Sequence, residues 1–284
     1  MTMTIELTPL SDALGAEISG LDLSQPLDAS DVAVIQRAFL DHHLLCLRSN
    51  PLDAHAFARV ARYFGEPQLQ LLRDQRVDTE PVVSILESTY RRPEDKPDDL
   101  TRVRLSGWHT DDSYFEIPAK ATLLQALALP DTGGETRFCN ARKAYEDLPD
   151  DMKARIDGLQ AVHSYDTARA PARAAKRSRV EQQETPDVVH PLVRTHEDTG
   201  QKAIYFNSNR TDAIVGMDRK DSDALLDWIH RHMTQPKYRY DHAWRLGDIL
   251  LWDNRCLVHS VNVDFPVGQR RVHQRILLRG IRPV

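Results

Sequence analysis

Cysteine is scarce: Cys46, Cys139 and Cys256 are the only three in 284 residues. An odd, widely spaced set offers no disulfide framework and suits reduced thiols in a cytosol. The absence of any C-x-x-C pair argues against a structural zinc site. No apolar run approaches the ~18 residues of a membrane helix, so no segment is expected to span a bilayer. The first residues, Met1 to Glu6, lack the basic-then-apolar order of a signal peptide, and a cytoplasmic protein is expected. Positive charge is not in excess either: the formal net charge is −5, which disfavours nucleic acid as a partner. There is no G-x-S-x-G elbow, the usual mark of a serine hydrolase.

What is present is an ordinary globular composition, 41% hydrophobic and 28% charged, at a length that can bury a sizeable core. Helices are expected over residues 30–42, 53–64 and 221–233, where apolar residues recur at helical spacing, with shorter ones after Asn140 and Pro149. Between them lie many short strand-like runs, among them 44–47, 82–86, 121–129, 160–164, 188–195, 203–207, 238–244, 248–252 and 271–279. This pattern predicts one domain over 1–284: mainly β with flanking helices, as a sandwich or jelly roll. Two polar segments, 88–106 and 167–187, read as mobile loops. The second holds Arg169, Arg173, Lys176, Arg177 and Arg179, either a solvated face or a basic lid over an anion.

The chain is organised around Gly107-Trp108-His109-Thr110-Asp111-Asp112-Ser113. At a strand end, residues i and i+2 face the same way, so His109 and Asp111 could hold one metal together. His259, which follows the strand-like run Asp248–Asp253, is the candidate third ligand. Two histidines and one carboxylate form the facial triad of non-haem Fe(II) oxygenases, which leaves coordination positions open. Asp112 should point to the opposite face, away from the metal. In the C-terminal strand, Arg271, Arg275 and Arg279 fall on one face and Arg270 on the other. Arginine is the cation best matched to a carboxylate, through its two-pronged fork. Tyr205, Asn207 and Asn209 lie on or just after a strand that could border the site and are candidate substrate contacts.

Taken together, W-H-T-D, then T-G-G-E-T, then G-D-I-L-L-W-D-N-R-C-L-V-H, then R-R-V-H-Q-R resembles the taurine dioxygenase / 2,4-dichlorophenoxyacetate dioxygenase family. The resemblance runs from the turn at Ala13–Ile18 to Arg279. Gly133–Asn140, with Ala144-Tyr145 and Leu148-Pro149, is closer to the phenoxyacetate branch. It implies a double-stranded β-helix that uses Fe(II), 2-oxoglutarate as co-substrate and O2. It also implies His109, Asp111 and His259 as metal ligands, and Thr136 with Arg271 as the holders of the co-substrate's distal carboxylate. Arg275 would bind the acidic group of a small anionic substrate, a carboxylate or sulfonate, whose hydroxylation can lead on to C–O or C–S cleavage. The segment before the arginine pair is one residue longer than the family's pattern, so Arg270 competes for the role given to Arg271; Arg271 keeps the four-residue step to Arg275. The 88–106 insert has no family counterpart. Dimers and tetramers occur among such proteins. Two other readings stand beside this one: a divalent-metal hydrolase built on H-x-D, and a non-catalytic jelly-roll binding protein. Neither needs the C-terminal arginines.

Overall fold

The computed structural model describes residues 5–88, 107–170 and 176–284. Most of the 88–106 insert and residues 171–175 lie outside the described residues.

The run Leu44-Leu45-Cys46-Leu47 explains the layering. All four side chains are buried. Strand alternation sends them to opposite faces: Leu45 and Leu47 enter an apolar cluster beneath two helices, and Leu44 and Cys46 enter one facing a second sheet. The same division separates Ile249 and Leu251 from Leu250 and Trp252, and Leu123 from Leu124. A strand that is apolar on both faces must lie in a middle layer. These strands are neighbours: Leu44–Leu47 pairs with Ile249–Asp253, which pairs with Ala119–Ala128.

Around them a nine-stranded sheet extends to Glu6–Pro9 and Ala16–Ser19 on one side, and to Val272–Arg279, Glu80–Glu87 and Arg76–Val77 on the other. Its outer face is covered by helices Ala29–His42 and Ala54–Arg62, through Ile35, Phe39, Phe57 and Val60. Fully burying a side chain of this kind contributes ~1.5–3 kcal/mol. Asp53 starts the second helix, its carboxylate accepting from Ala56 N at 2.8 Å.

The inner face meets a three-stranded sheet of Arg239–His242, Thr136–Asn140 and Leu257–Val261. Phe138 and Leu257 pack there against Leu250 and Trp252. This is the jelly roll the sequence implies. Behind the smaller sheet, helices Ala141–Glu146, Asp150–Ile156 and Arg219–Met233 bury Ala144, Ile156, Leu226 and Met233. Among the described residues no helix is long and apolar enough to cross a membrane.

Local departures from the sequence reading have local causes. The run 188–195 is two strands in different sheets: Val188–Pro191 pairs with Gln160–His163, and Val193–Thr195 with Lys202–Ile204. Pro191 has no amide hydrogen to continue a ladder, and Leu192 N turns to Leu159 O at 2.8 Å. Within 167–187, residues Arg179–Gln183 form a short helix. Ser178 and Glu181 make its capping box, each side chain accepting from the other's amide.

Candidate active site and metal centre

His109 and His259 are 150 residues apart in the sequence but face each other across an antiparallel bridge. His109 N donates to His259 O at 2.9 Å, and His259 N donates to His109 O at 2.7 Å. Their rings lie 4.1 Å apart between centroids. His259 projects from the middle of Leu257–Val261, with the Trp252 ring 4.7 Å away. Asp111 Oδ2 is 3.8 Å from His259 Nε2. One nitrogen of each imidazole and one Asp111 oxygen all lie within 4.8 Å of one another.

Neighbouring amides and hydroxyls fix this geometry. Asn254 Oδ1 accepts from Asp111 N, and its Nδ2 donates to Thr122 Oγ1, which in turn donates to Asp111 Oδ2 at 2.6 Å. Thr110 Oγ1 donates to Asn254 O at 2.7 Å. From the other side Asn207 Nδ2 donates to Thr110 O at 2.7 Å and to Ser113 Oγ at 2.9 Å. Asn254 was not singled out by sequence reasoning, although it sits inside the quoted G-D-I-L-L-W-D-N-R run.

The protonation states suit a cation. Burial, and then the neighbouring His109, push His259 down to about 3. Burial also lowers His109, despite Asp111 and the Gly107 carbonyl. His109 Nδ1 donates to Gly107 O at 2.8 Å, which leaves Nε2 as the lone-pair nitrogen. Burial pushes the Asp111 carboxyl up, but His259, Arg275 and His109 outweigh it and the net shift is downward. The three groups thus present two neutral imidazoles and a carboxylate.

Two other clusters of similar composition occur among the described residues, His43/Asp253/Cys256 and Cys46/His242/Asp248. Both are consumed internally. Asp253 is paired with Arg255 at 2.6 Å and with His196 at 2.9 Å, and Asp248 bonds Arg48 and His242. Burial raises the thiols of Cys46 and Cys256, so neither is a ready thiolate.

The His109/Asp111/His259 cluster instead opens on a cavity of about 490 Å³. Thr136, Arg271, His273 and Arg275 line it, together with Gln70, Tyr114, Tyr165 and Arg210. Arg271 is buried; its Nε donates to Gly134 O at 3.0 Å and its Nη2 to Thr136 Oγ1 at 3.2 Å. The glycine doublet makes room for this arginine. Gly134 has φ +77°, and a Cβ there would lie 3.2 Å from Arg271 Cδ and Nε. A Cβ on Gly133 would come within 2.5 Å of Asp264 Oδ1, which accepts from Gly134 N. Arg270 is exposed, 3.5 Å from Glu87. Arg275 Nη2 donates to Gln70 Oε1, and its Nη1 lies 3.9 Å from Asp111 Oδ1.

Several expectations need correction. Arg279 does not join Arg271 and Arg275; it is exposed, past a bulge, and lines a separate surface cavity with Arg282. Tyr205 is buried outside the cavity lining, stacked on His163 and beneath Arg194, because its side chain falls on the core face. Asn207 and Asn209 do line the cavity, but the Asn207 amide is spent on the 110–113 backbone and hydroxyl. Asp112, left-handed at φ 57°, also lines the cavity but, as expected, is not part of the His109/Asp111/His259 cluster. Its carboxylate accepts from Gln68 and Tyr114, and burial, with Asp111 beside it, raises it to about 6. Of the arginines expected in a lid, Arg169 is paired with Asp223 and Asp227, and Arg177 lies over the Tyr165 ring at 4.0 Å.

The profile of the Taurine catabolism dioxygenase TauD, TfdA family matches residues 6–277. The chain belongs to this family. It is therefore an Fe(II)- and 2-oxoglutarate-dependent dioxygenase, an oxidoreductase that consumes O2. Among its relatives is an alkylsulfatase of Acinetobacter baylyi, 31% identical over 98% of this chain and 86% of that protein. Another is the (S)-phenoxypropionate/alpha-ketoglutarate-dioxygenase of Sphingobium herbicidovorans, 31% identical over 97% of this chain and 96% of that one. The crystal structure of a taurine dioxygenase from Burkholderia xenovorans superposes with TM-score 0.83 at 31% identity, over 99% of this dioxygenase and 91% of that chain. The hydrolase and binding-protein readings are not favoured by these relationships.

Proposed function

We propose that His109, Asp111 and His259 hold the Fe(II) of this dioxygenase, that Arg271 and Thr136 hold the distal carboxylate of 2-oxoglutarate, and that Arg275 pairs with the anionic group of a small organic substrate. The whole chain is read as one catalytic unit. The observation that carries this is the convergence, in one cavity, of two neutral imidazoles, one carboxylate and two arginines. The donor set fits ferrous iron: one carboxylate and two imidazoles leave positions open for a chelating co-substrate and O2. Bound there, the ion and its co-substrate supply the oxidising power that hydroxylates a substrate C–H bond.

The chain's own part is positioning. Gly107 fixes the tautomer of His109, and Asn254 and Thr122 fix the carboxylate of Asp111. Arg271 is held by Gly134 O, so its fork is aligned before any ligand arrives. Arg275 is oriented by Gln70, and its charge favours a carboxylate, sulfonate or sulfate ester over a neutral substrate. The relatives named for alkylsulfates and phenoxypropionate support this class. Hydroxylation at a carbon bearing oxygen or sulfur would give an unstable product and lead on to cleavage.

The test is a panel of small carboxylates, sulfonates and sulfate esters assayed for substrate-stimulated succinate release with Fe(II) and ascorbate. Stimulation by at least one acid, lost in Arg275→Ala, is the expected result. Succinate release that no member of the panel stimulates overturns the substrate class.

A further inference from the structure

His273 is fully buried, yet neither of its ring nitrogens has a hydrogen-bond partner among the described residues. An unanswered buried donor costs ~1–3 kcal/mol, a cost that an acceptor bound beside it would remove. His273 lies midway between Arg271 and Arg275, and strand alternation sends all three side chains into the same cavity. The Trp244 ring packs edge-on against it at 4.6 Å. Trp244 Nε1 donates to Thr136 Oγ1 at 3.0 Å, the same hydroxyl that Arg271 Nη2 reaches. The imidazole therefore belongs to the end of the cavity built from Thr136 and Arg271. Burial, and then the Arg271 charge, hold it well below its ordinary range. A neutral imidazole offers one N–H donor and one acceptor.

We propose that His273 donates a hydrogen bond to the distal carboxylate of 2-oxoglutarate, as a third donor beside Arg271 and Thr136. This rests on the reading of the co-substrate end given above. A carboxylate has ~four acceptor positions, more than one arginine and one hydroxyl fill. The imidazole adds a directional contact without adding charge, so it sharpens selection for a 2-oxo acid with a carboxylate at its far end. Packing against Trp244 alone would be met by an apolar ring, with no nitrogen left unpaired.

The test is anaerobic calorimetry on the Fe(II)-loaded protein with two ligands: 2-oxoglutarate, and 2-oxopentanoate, which has the same carbon chain but no distal carboxylate. His273→Phe keeps a ring against Trp244 and removes the donor; His273→Met serves if the Phe variant does not fold. Loss of a hydrogen bond to a charged group predicts 2-oxoglutarate binding weakened ~10–100-fold, 2-oxopentanoate binding changed by less than about twofold, and substantial rescue in His273→Gln. Unchanged 2-oxoglutarate binding in the variant overturns the proposal, as does equal weakening of both ligands, which would indicate packing. Failure of the wild-type protein to bind 2-oxoglutarate overturns the reading of the site itself.

Discussion

His109 and His259 exchange both main-chain hydrogen bonds, at 2.9 and 2.7 Å, so the bridge that aligns their imidazoles is made by backbone and not by the side chains themselves. Replacing either ring should therefore leave the fold in place and remove the metal. In His109→Ala and His259→Ala, Fe(II) or Mn(II) should no longer raise the melting temperature, whereas the wild type should gain ~2.7 kcal/mol at a hundredfold excess over Kd. Turnover should be abolished. A metal-dependent thermal shift that survives in His109→Ala would remove it from the ligand set.

The Asn254 side chain joins Asp111 N, Thr122 Oγ1 and Trp252 Nε1 and is not part of the cavity lining. Asn254→Ala should lower metal affinity ~10–100-fold, as loss of a ligand's supporting contact usually does, and cost ~1–3 kcal/mol of stability. Metal titration alongside denaturant unfolding separates the two effects. A stability loss with unchanged metal affinity would make Asn254 purely structural.

How much of this was readable in the sequence depended on period and contact range. The 44–47 run and the helix expected at 221–233, observed over Arg219–Met233, were legible because each pattern is long or wholly apolar, and packing agrees with it. The strand Leu257–Val261 was not assigned, although His259 was; it directly follows another strand, and only the tight turn at Asn254–Cys256 separates them. Asn254 and Gln70 were missed for a different reason. Their partners, Asp111 and Arg275, lie 143 and 205 residues away, and an amide side chain announces nothing in isolation. The Ser178–Glu181 capping box was present in the text of the sequence, but the surrounding alanines and arginines obscured it.

The choice between adjacent arginines is sharp. Arg271→Ala should raise the KM for 2-oxoglutarate by ~10–100-fold or more, given the worth of a charge-assisted hydrogen bond, with a much smaller change in the substrate KM. Arg270→Ala, which removes only an exposed contact with Glu87 at 3.5 Å, should alter neither. The converse result would shift the register of the strand's functional face by one residue.

Buried histidines should contribute to the loss of stability in acid. Burial lowers His43 to about 4 and, with His190 beside it, lowers His163 to about 3, from an ordinary 6.5. Both are neutral in the folded protein and take up a proton on unfolding below pH 6.5. The unfolded state thus binds more protons there, and stability falls as pH drops from 6.5 towards 4. His163→Phe keeps a ring against Tyr205 and His190 and removes one such proton. Its stability should decline with a slope shallower by up to ~1.4 kcal/mol per pH unit. Denaturant midpoints measured across that range decide it; parallel curves for the two proteins would reject the assignment.

The doublet at positions 133 and 134 carries a hidden vulnerability. It is not part of the cavity lining, and its replacement by alanine would look harmless on any inspection of the reaction centre. Yet a single methyl group there presses on the stem of the Arg271 side chain, or displaces Asp264. Such a variant would keep its metal and the rest of its cavity while starving for its co-substrate, a defect that added 2-oxoglutarate could partly mask in the test tube but that would surface at the concentrations a cell maintains.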